Sequence, residues 1–468
     1  MKKQILFSFS TLLMLFMSSC STEELNNEVT PENPSAKTNN RISAAKFAGD
    51  GIYDVLGHGF DAAGEYANAN SAGFKVIDID RFKAEQPGRL ISENTNAQEY
   101  VEEYGENAES YSKMVSTKIT ATAGIPLFKK TLSVAFNSAI TNTNKFDAKY
   151  IYGSYNLTIK QKRIRFNSTV DALGDYLTPE FTQDLQTKSP QQIVNDYGTH
   201  VMLDIYTGAK MDILFQSETS NQNREHAARV GIKVGMKDIF DVDVTNDVNT
   251  SSSNQNFSKK LSYKTRGGDP SKGLMNDLNL DQSNPKISIS AWQNSSTPSN
   301  SVLVDFGSNG LVLIYDLVKD AVKKAQLKAY VDQYLIDNKV YLQHNTVPVY
   351  SYYSSKYNDH YYNTSNVTPN YYVNEGAVFN VLNYKAAGAV PVYGYYSSKY
   401  NDHYYNTSAV TPNYYINEGV FFYAYTYQAP GTVPVYGFYS GKYQDHYLSK
   451  SPATPNYYVN EGIMFYAY

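Results

Sequence analysis

One cysteine and one tryptophan stand in 468 residues, and no long block of lysine and arginine breaks a formal net charge of −4. A lone cysteine excludes a disulfide framework and leaves no thiolate set for a metal or redox centre. The weak, evenly spread charge excludes the electrostatic footprint of a nucleic-acid partner. Neither a βαβ alternation nor a glycine-rich phosphate loop is present, which removes the common nucleotide-binding architectures. The apolar run Ile5 to Met17 is too short to span a bilayer; behind Lys2 and Lys3 it reads as an export signal.

That run ends in Met17-Ser18-Ser19-Cys20, which resembles the lipobox of bacterial lipoproteins and accounts for the only cysteine. The resemblance implies removal of residues 1–19, lipidation of Cys20 and anchoring in the outer membrane. The following Ser-Thr-Glu-Glu is similar to the acidic tag of lipoproteins displayed on the cell surface, with release to the extracellular space as a further outcome. Residues 20–45, rich in Asn, Glu, Thr, Ser and Pro, have no apolar periodicity and are expected to be a flexible tether.

What the chain has in excess is tyrosine, 44 residues, of which 28 lie beyond residue 346. Val-Pro-Val-Tyr recurs at 347, 390 and 433, Asp-His at 359, 402 and 445, and Thr-Pro-Asn-Tyr-Tyr at 368, 411 and 454, so the period is 43 residues. Each copy has short Tyr/Val/Phe runs between Asn-, Pro- and Gly-rich turns, which is strand chemistry. Three copies are too few for a propeller and would leave open edges in a stack. A closed, all-β, threefold β-trefoil-like domain over 346–468 is therefore expected. The candidate target-binding residues are Asp359, His360 and Asn363, Asp402, His403 and Asn406, and Asp445 and His446, beside tyrosines on which sugar rings could stack. The Asp-His pair has a plainer reading too, with Asp locking a turn and His packing between repeats. Gln444, Leu448 and Lys450 set the third copy apart.

Residues 46–345 mix amphipathic and β-rich stretches, an α+β pattern. Ser189, Pro190, Gln192 and Gly198 mark a capped helix that ends after Tyr197, with a strand expected from His200 through Ile205. At that boundary stands Tyr197-Gly198-Thr199-His200, which resembles the signature of the membrane-attack-complex/perforin (MACPF) family. The family's pattern continues with an aromatic residue and a Gly-Gly pair, where this chain has Val201 and Gly208-Ala209. Leu56-Gly57-His58-Gly59-Phe60-Asp61 is similar to the family's early glycine turn, and Trp292 opens a Trp-x-x-Ser stretch ending near Pro298. The resemblance implies a bent antiparallel sheet flanked by helical clusters, a structural role for His200, no enzymatic activity and no cofactor or metal.

It also implies two clusters, helical in the soluble form, that re-form as membrane-crossing hairpins. In the second, Val230, Ile232, Val234 and Met236 alternate with Arg229, Lys233 and Lys237, and Val242 and Val244 would alternate with Asp241 and Asp243 on the return strand. In the first, Leu132, Val134 and Phe136 alternate with polar residues, after an interruption at Pro126 and Lys129-Lys130. Gly267 and Gly268 occupy the place of the family's hinge glycines. The expected activity is that of an exported lipoprotein that oligomerises on a target membrane and perforates it, similar to antimicrobial MACPF lipoproteins of Gram-negative gut bacteria. Its expected receptor is a surface glycan, lipopolysaccharide or an outer-membrane protein. A non-lytic adhesin on the same scaffold is the alternative.

Overall fold

Four long segments of the central region are strands, the last three with two-residue alternation: β1 Leu90–Gly105, β2 Ile151–Phe166, β3 Asp204–Thr219 and β4 Asn256–Arg266. They pair antiparallel in chain order, with Glu103 opposite Ser154, Thr158 opposite Lys210 and Phe215 opposite Leu261. Met275–Asn279 edges β4, and Val302–Phe306 pairs with the first half of β3. These elements come from a computed structural model that describes residues 51–122, 124–136, 145–242 and 250–468. Cys20 and the expected return-strand residues Asp243 and Val244 lie outside the described residues.

Helices lie in all three connections of the β1 to β4 path, and the two candidate clusters are in the first and the third. Between β1 and β2 lie α1, Ala108–Thr117, and α2, Lys129–Ala135, and between β3 and β4 lies α3, Arg224–Ile239. Because successive side chains point to opposite faces of a strand, the sheet has two characters. Tyr155, Leu157 and Ile159, Met211, Ile213 and Phe215, and Leu261 make an apolar face, which α3 covers with Ala228, Ile232 and Met236. Glu103, Ser154, Asn156, Lys210, Asp212 and Arg266 make a polar face, and α1 closes a cavity over it with Tyr111 and Val115.

The sheet bends at its signature end. The strand expected from His200 through Ile205 is two strands, His200–Met202 and the start of β3, broken at Leu203. The Leu203 N–H donates to the Gly310 carbonyl at 2.7 Å. His200–Met202 thereby leaves the central sheet and enters a second one, between His58–Phe60 and Leu311–Leu313.

Beyond residue 346 each repeat is one three-stranded antiparallel sheet: Val347–Ser354, Asp359–Asn363 and Val373–Val381, then the same three strands shifted by the period. The first strand of each repeat is central in its sheet. Closure is trefoil-like, but it is made by single bridges instead of continuous barrel pairing. Leu382 pairs with Tyr423, Tyr425 with Tyr466, and Asn380 with Tyr468 through two 2.8 Å bonds. Val349, Val392 and Val435, with Phe379, Phe422 and Phe465, fill the middle.

Candidate functional site

The signature is a packing device. Helix Pro190–Tyr197 starts on the Ser189/Gln192 capping box and stops at Gly198, whose φ of 84° is left-handed. A Cβ on Gly198 would stand 2.4 Å from the Phe60 carbonyl carbon, and one on Gly59 would stand 1.6 Å from the Tyr197 oxygen. The early glycine segment and the signature therefore interleave backbone to backbone, which no side chain would permit. The Tyr197 hydroxyl donates to buried Asp184 at 2.7 Å, and Thr199 Oγ1 accepts from the Ala62 N–H at 3.2 Å. His200 is fully enclosed, 2.8 Å from Thr199 Oγ1. Burial pushes its pKa down to about 4 against a smaller opposing effect of the Ala121 backbone, so the imidazole is neutral. Thr199 and His200 are both fully buried, so the pair faces packed interior and no cleft.

Gly267 and Gly268 follow β4 with φ of 68° and 75°. Trp292 Nε1 donates to the Gly267 carbonyl at 3.0 Å, and Ser295 Oγ accepts from the Asp269 N–H at 2.9 Å. A Cβ on Gly267 would meet the Gly208 oxygen at 2.3 Å. The Trp-x-x-Ser stretch, the glycine pair and Gly208, separated by up to about 90 residues of chain, thus form one latch at the end of β4.

Val242 lies in a bend past α3, and the other membrane-inserting candidates among the described residues are in helices or at a helix end. Val230, Ile232 and Met236 are buried on α3, with Val234 half-buried; Leu132 is buried on α2, Val134 is exposed, and Phe136 is half-buried beside it. Gly231 of α3 sits against the Phe215 ring, where a Cβ would come within 2.4 Å, so the helix lies close on the sheet. The basic row also has partners in this form. Lys233, almost fully buried, is 3.1 Å from Glu102 of β1, and Arg229 is 3.7 Å from the same carboxylate.

Arg224, the first residue of α3, escaped the sequence reading. Its guanidinium is buried and donates to backbone carbonyls alone: Glu106 at 3.0 Å, Ala148 at 3.1 Å, Lys149 at 3.0 Å, Tyr150 at 3.3 Å, and Lys385 of the first repeat junction. One side chain thereby ties the root of the second cluster to both roots of the first and to the repeat domain. A signal existed, since a cation in the first turn of a helix opposes the macrodipole and needs another purpose.

In the repeats the Asp-His pairs are divided between neighbours. Asp359 accepts from the His403 N–H at 2.8 Å and from its ring Nδ1 at 2.7 Å; Asp402 serves His446 and Asp445 serves His360 in the same way. Each carboxylate also accepts from a tyrosine hydroxyl of its own repeat, Tyr372, Tyr415 or Tyr458. Each histidine ring lies between two tyrosines, His403 for example 4.7 Å from Tyr396 and 4.8 Å from Tyr361. The three carboxylates come within 4.8 Å of one another at the axis and are fully buried. Each carboxylate accepts three hydrogen bonds from this ring of donors.

This corrects the expectation for the aspartates: Asp359, Asp402 and Asp445 are an inter-repeat lock and offer nothing to a ligand at the surface. The histidines are held in the same lock. Asn363 and Asn406 are also engaged locally, each accepting from the N–H two residues on at 2.9 Å and donating to a neighbouring tyrosine. Of the third copy's departures, Lys450 is exposed, Gln444 lies in a turn and Leu448 is internal. Leu448 stands where Tyr362 and Tyr405 stand, and its N–H donates to the Tyr362 hydroxyl at 2.9 Å. Sequence reading could not assign these contacts because a repeat shows which residues recur, not which copy they bond.

A bent antiparallel sheet whose paired strands carry helical clusters in their connections defines a perforin-type domain. The chain belongs to the MAC/Perforin domain family, whose model matches residues 45–342. A second family, described as Domain of unknown function (DUF5648), matches residues 318–414 and again 370–468, which spans the repeats. The chain is similar in fold to a MAC/Perforin-domain protein of Bacteroides thetaiotaomicron, at 16% identity and a TM-score of 0.51, covering 62% of this chain and 62% of that one. It therefore spans less than two thirds of that protein's length. GNIP1Aa from Chromobacterium piscinae is matched at 14% identity and a TM-score of 0.49, over 90% of this chain and 82% of that one. No curated protein matches the chain.

Proposed function

We propose that this chain is an exported, Cys20-anchored lipoprotein that binds a target surface through its repeats, oligomerises there and inserts a β-barrel pore. One observation carries the reading: each helical cluster joins two strands that are already antiparallel neighbours, β1 with β2 and β3 with β4. Each cluster can therefore extend an existing ladder without re-pairing any strand. The connection from β3 to β4 spans roughly 36 residues, against about 20 needed for two bilayer-crossing strands. The connection from β1 to β2 is longer still.

Conversion also has identifiable restraints. Unrolling α3 must break the Lys233–Glu102 contact, lift apolar residues from the sheet and free Arg224 from its carbonyls. Each hairpin regains bonds between its own two strands, but its outer edges are satisfied in lipid only when neighbouring subunits complete the ring. This makes oligomerisation a condition of insertion. Purified residues 21–468 should release dye from vesicles made of target outer-membrane lipids and should kill susceptible bacteria. Attachment without leakage at any concentration would overturn pore formation and leave the adhesin reading.

A further inference from the structure

The Thr-Pro-Asn-Tyr-Tyr segment of each repeat holds two tyrosines with opposite fates. The second, Tyr372, Tyr415 or Tyr458, turns inward to the carboxylate ring. The first, Tyr371, Tyr414 or Tyr457, is 67%, 66% and 65% exposed and packs into no core. The chain turns tightly here, the Tyr372 N–H donating to the Pro369 carbonyl at 3.2 Å, with 3.1 Å at both equivalent turns. The exposed tyrosine is the third residue of that turn, with φ of 70°, 69° and 70°. Glycine or asparagine normally fills such a position, because a Cβ there costs about 1–2 kcal/mol. Beyond an edge-on contact of about 6 Å with Tyr357, Tyr400 or Tyr443, this strained, exposed aromatic adds little packing that would offset its backbone cost.

Beside each ring stands a lysine. Lys356 Nζ lies 3.6 Å from the Tyr371 ring centre, Lys399 3.6 Å from Tyr414, and Lys442 3.7 Å from Tyr457. Among the described residues none of these lysines has a carboxylate partner. The third repeat changes its interior at Leu448 and its turn at Gln444, yet keeps Lys442, Pro455, Asn456 and Tyr457. The Lys–Tyr pair is thus kept where other features of the repeat are not.

We propose that these three Lys–Tyr pairs are equivalent surface sites for an anionic glycan, the aromatic ring taking the C–H face of a sugar and the ammonium its carboxylate or phosphate. The inference rests on the reading of the repeats as the target-binding part and names its site and ligand class. Three copies around one axis suit a repetitive surface polysaccharide, since linked weak sites gain about 100-fold or more by avidity.

The test is binding of purified residues 21–468 to an array of phosphorylated and uronic-acid oligosaccharides, their neutral counterparts, and phosphatidylglycerol vesicles, alongside susceptible cells. Acidic glycans should bind best. The triple variant Tyr371→Gly, Tyr414→Gly, Tyr457→Gly should melt no lower than the parent, because glycine relieves the left-handed strain, and should bind these glycans about 100-fold more weakly. The triple Lys356→Gln, Lys399→Gln, Lys442→Gln should lose the preference for acidic over neutral sugars. A glycine variant that still binds cells and glycans like the parent overturns the proposed site while leaving target binding by the repeats intact. Parent protein that binds phosphatidylglycerol vesicles as tightly as acidic glycans overturns the ligand class. Parent protein that binds neither cells nor glycans sinks the target-binding reading and this inference with it.

Discussion

In the repeat domain every restraint closes on itself: Asp359 holds His403, Asp402 holds His446, and Asp445 returns to His360. Over the central sheet the restraints run one way. α3 lies on its apolar face by packing, and Arg224, Arg229 and Lys233 are its charged ties. The first arrangement resists piecemeal opening, since no repeat can leave without breaking bonds to both neighbours. The second can be undone from one end, which the proposed change of α3 from helix to strand requires. On the proposed function, rigidity for recognition and convertibility for insertion are separated along the chain, with Arg224 and the Lys385 carbonyl as a point of contact.

The comparison breaks most visibly at the ring. Asp402→Ala leaves the His446 donors and the Tyr415 hydroxyl without their buried acceptor and should cost about 3–5 kcal/mol. The loss should fall on the repeats, read as an early tyrosine near-UV transition while the central sheet melts as before. A uniform shift of both transitions would show that the two halves are not mechanically separate.

Acid should act on the central half by a smaller amount. His200 titrates near 4 when folded and near 6.5 when unfolded, so between those values the unfolded chain binds the proton first. Stability is full above about pH 6.5 and falls as pH drops toward 4, by about 3 kcal/mol for this group. Denaturant melts across that window should show the decline, and His200→Gln should flatten it. An unchanged slope in the variant would remove His200 as its source.

The parts legible in the sequence were those fixed by neighbours along the chain. The helix Pro190–Tyr197 carried its own start and stop in Ser189, Gln192 and Gly198, and the 43-residue period announced three equal sheets. Misreadings arose where tertiary contacts decide. Leu203 breaks the expected strand because its N–H is drawn to Gly310, more than 100 residues away. The aspartates look like surface ligands beside their histidines, but each bonds the next copy and is buried at the axis. The exposed tyrosines were hidden by chemistry, since Asn370 next to Tyr371 is the residue a turn of positive φ would be expected to use.

The central claim is that α3 must leave the sheet for the chain to perforate a membrane. A disulfide tests it directly. A Cβ built on Gly153 of β2 lies 3.1 Å from the Ile232 Cβ of α3, a few tenths of an ångström inside disulfide spacing. The variant Gly153→Cys, Ile232→Cys should bind target cells like the parent but release no dye when oxidised, and reduction should restore leakage. Leakage by the oxidised, cross-linked protein at the parent's rate would contradict the account.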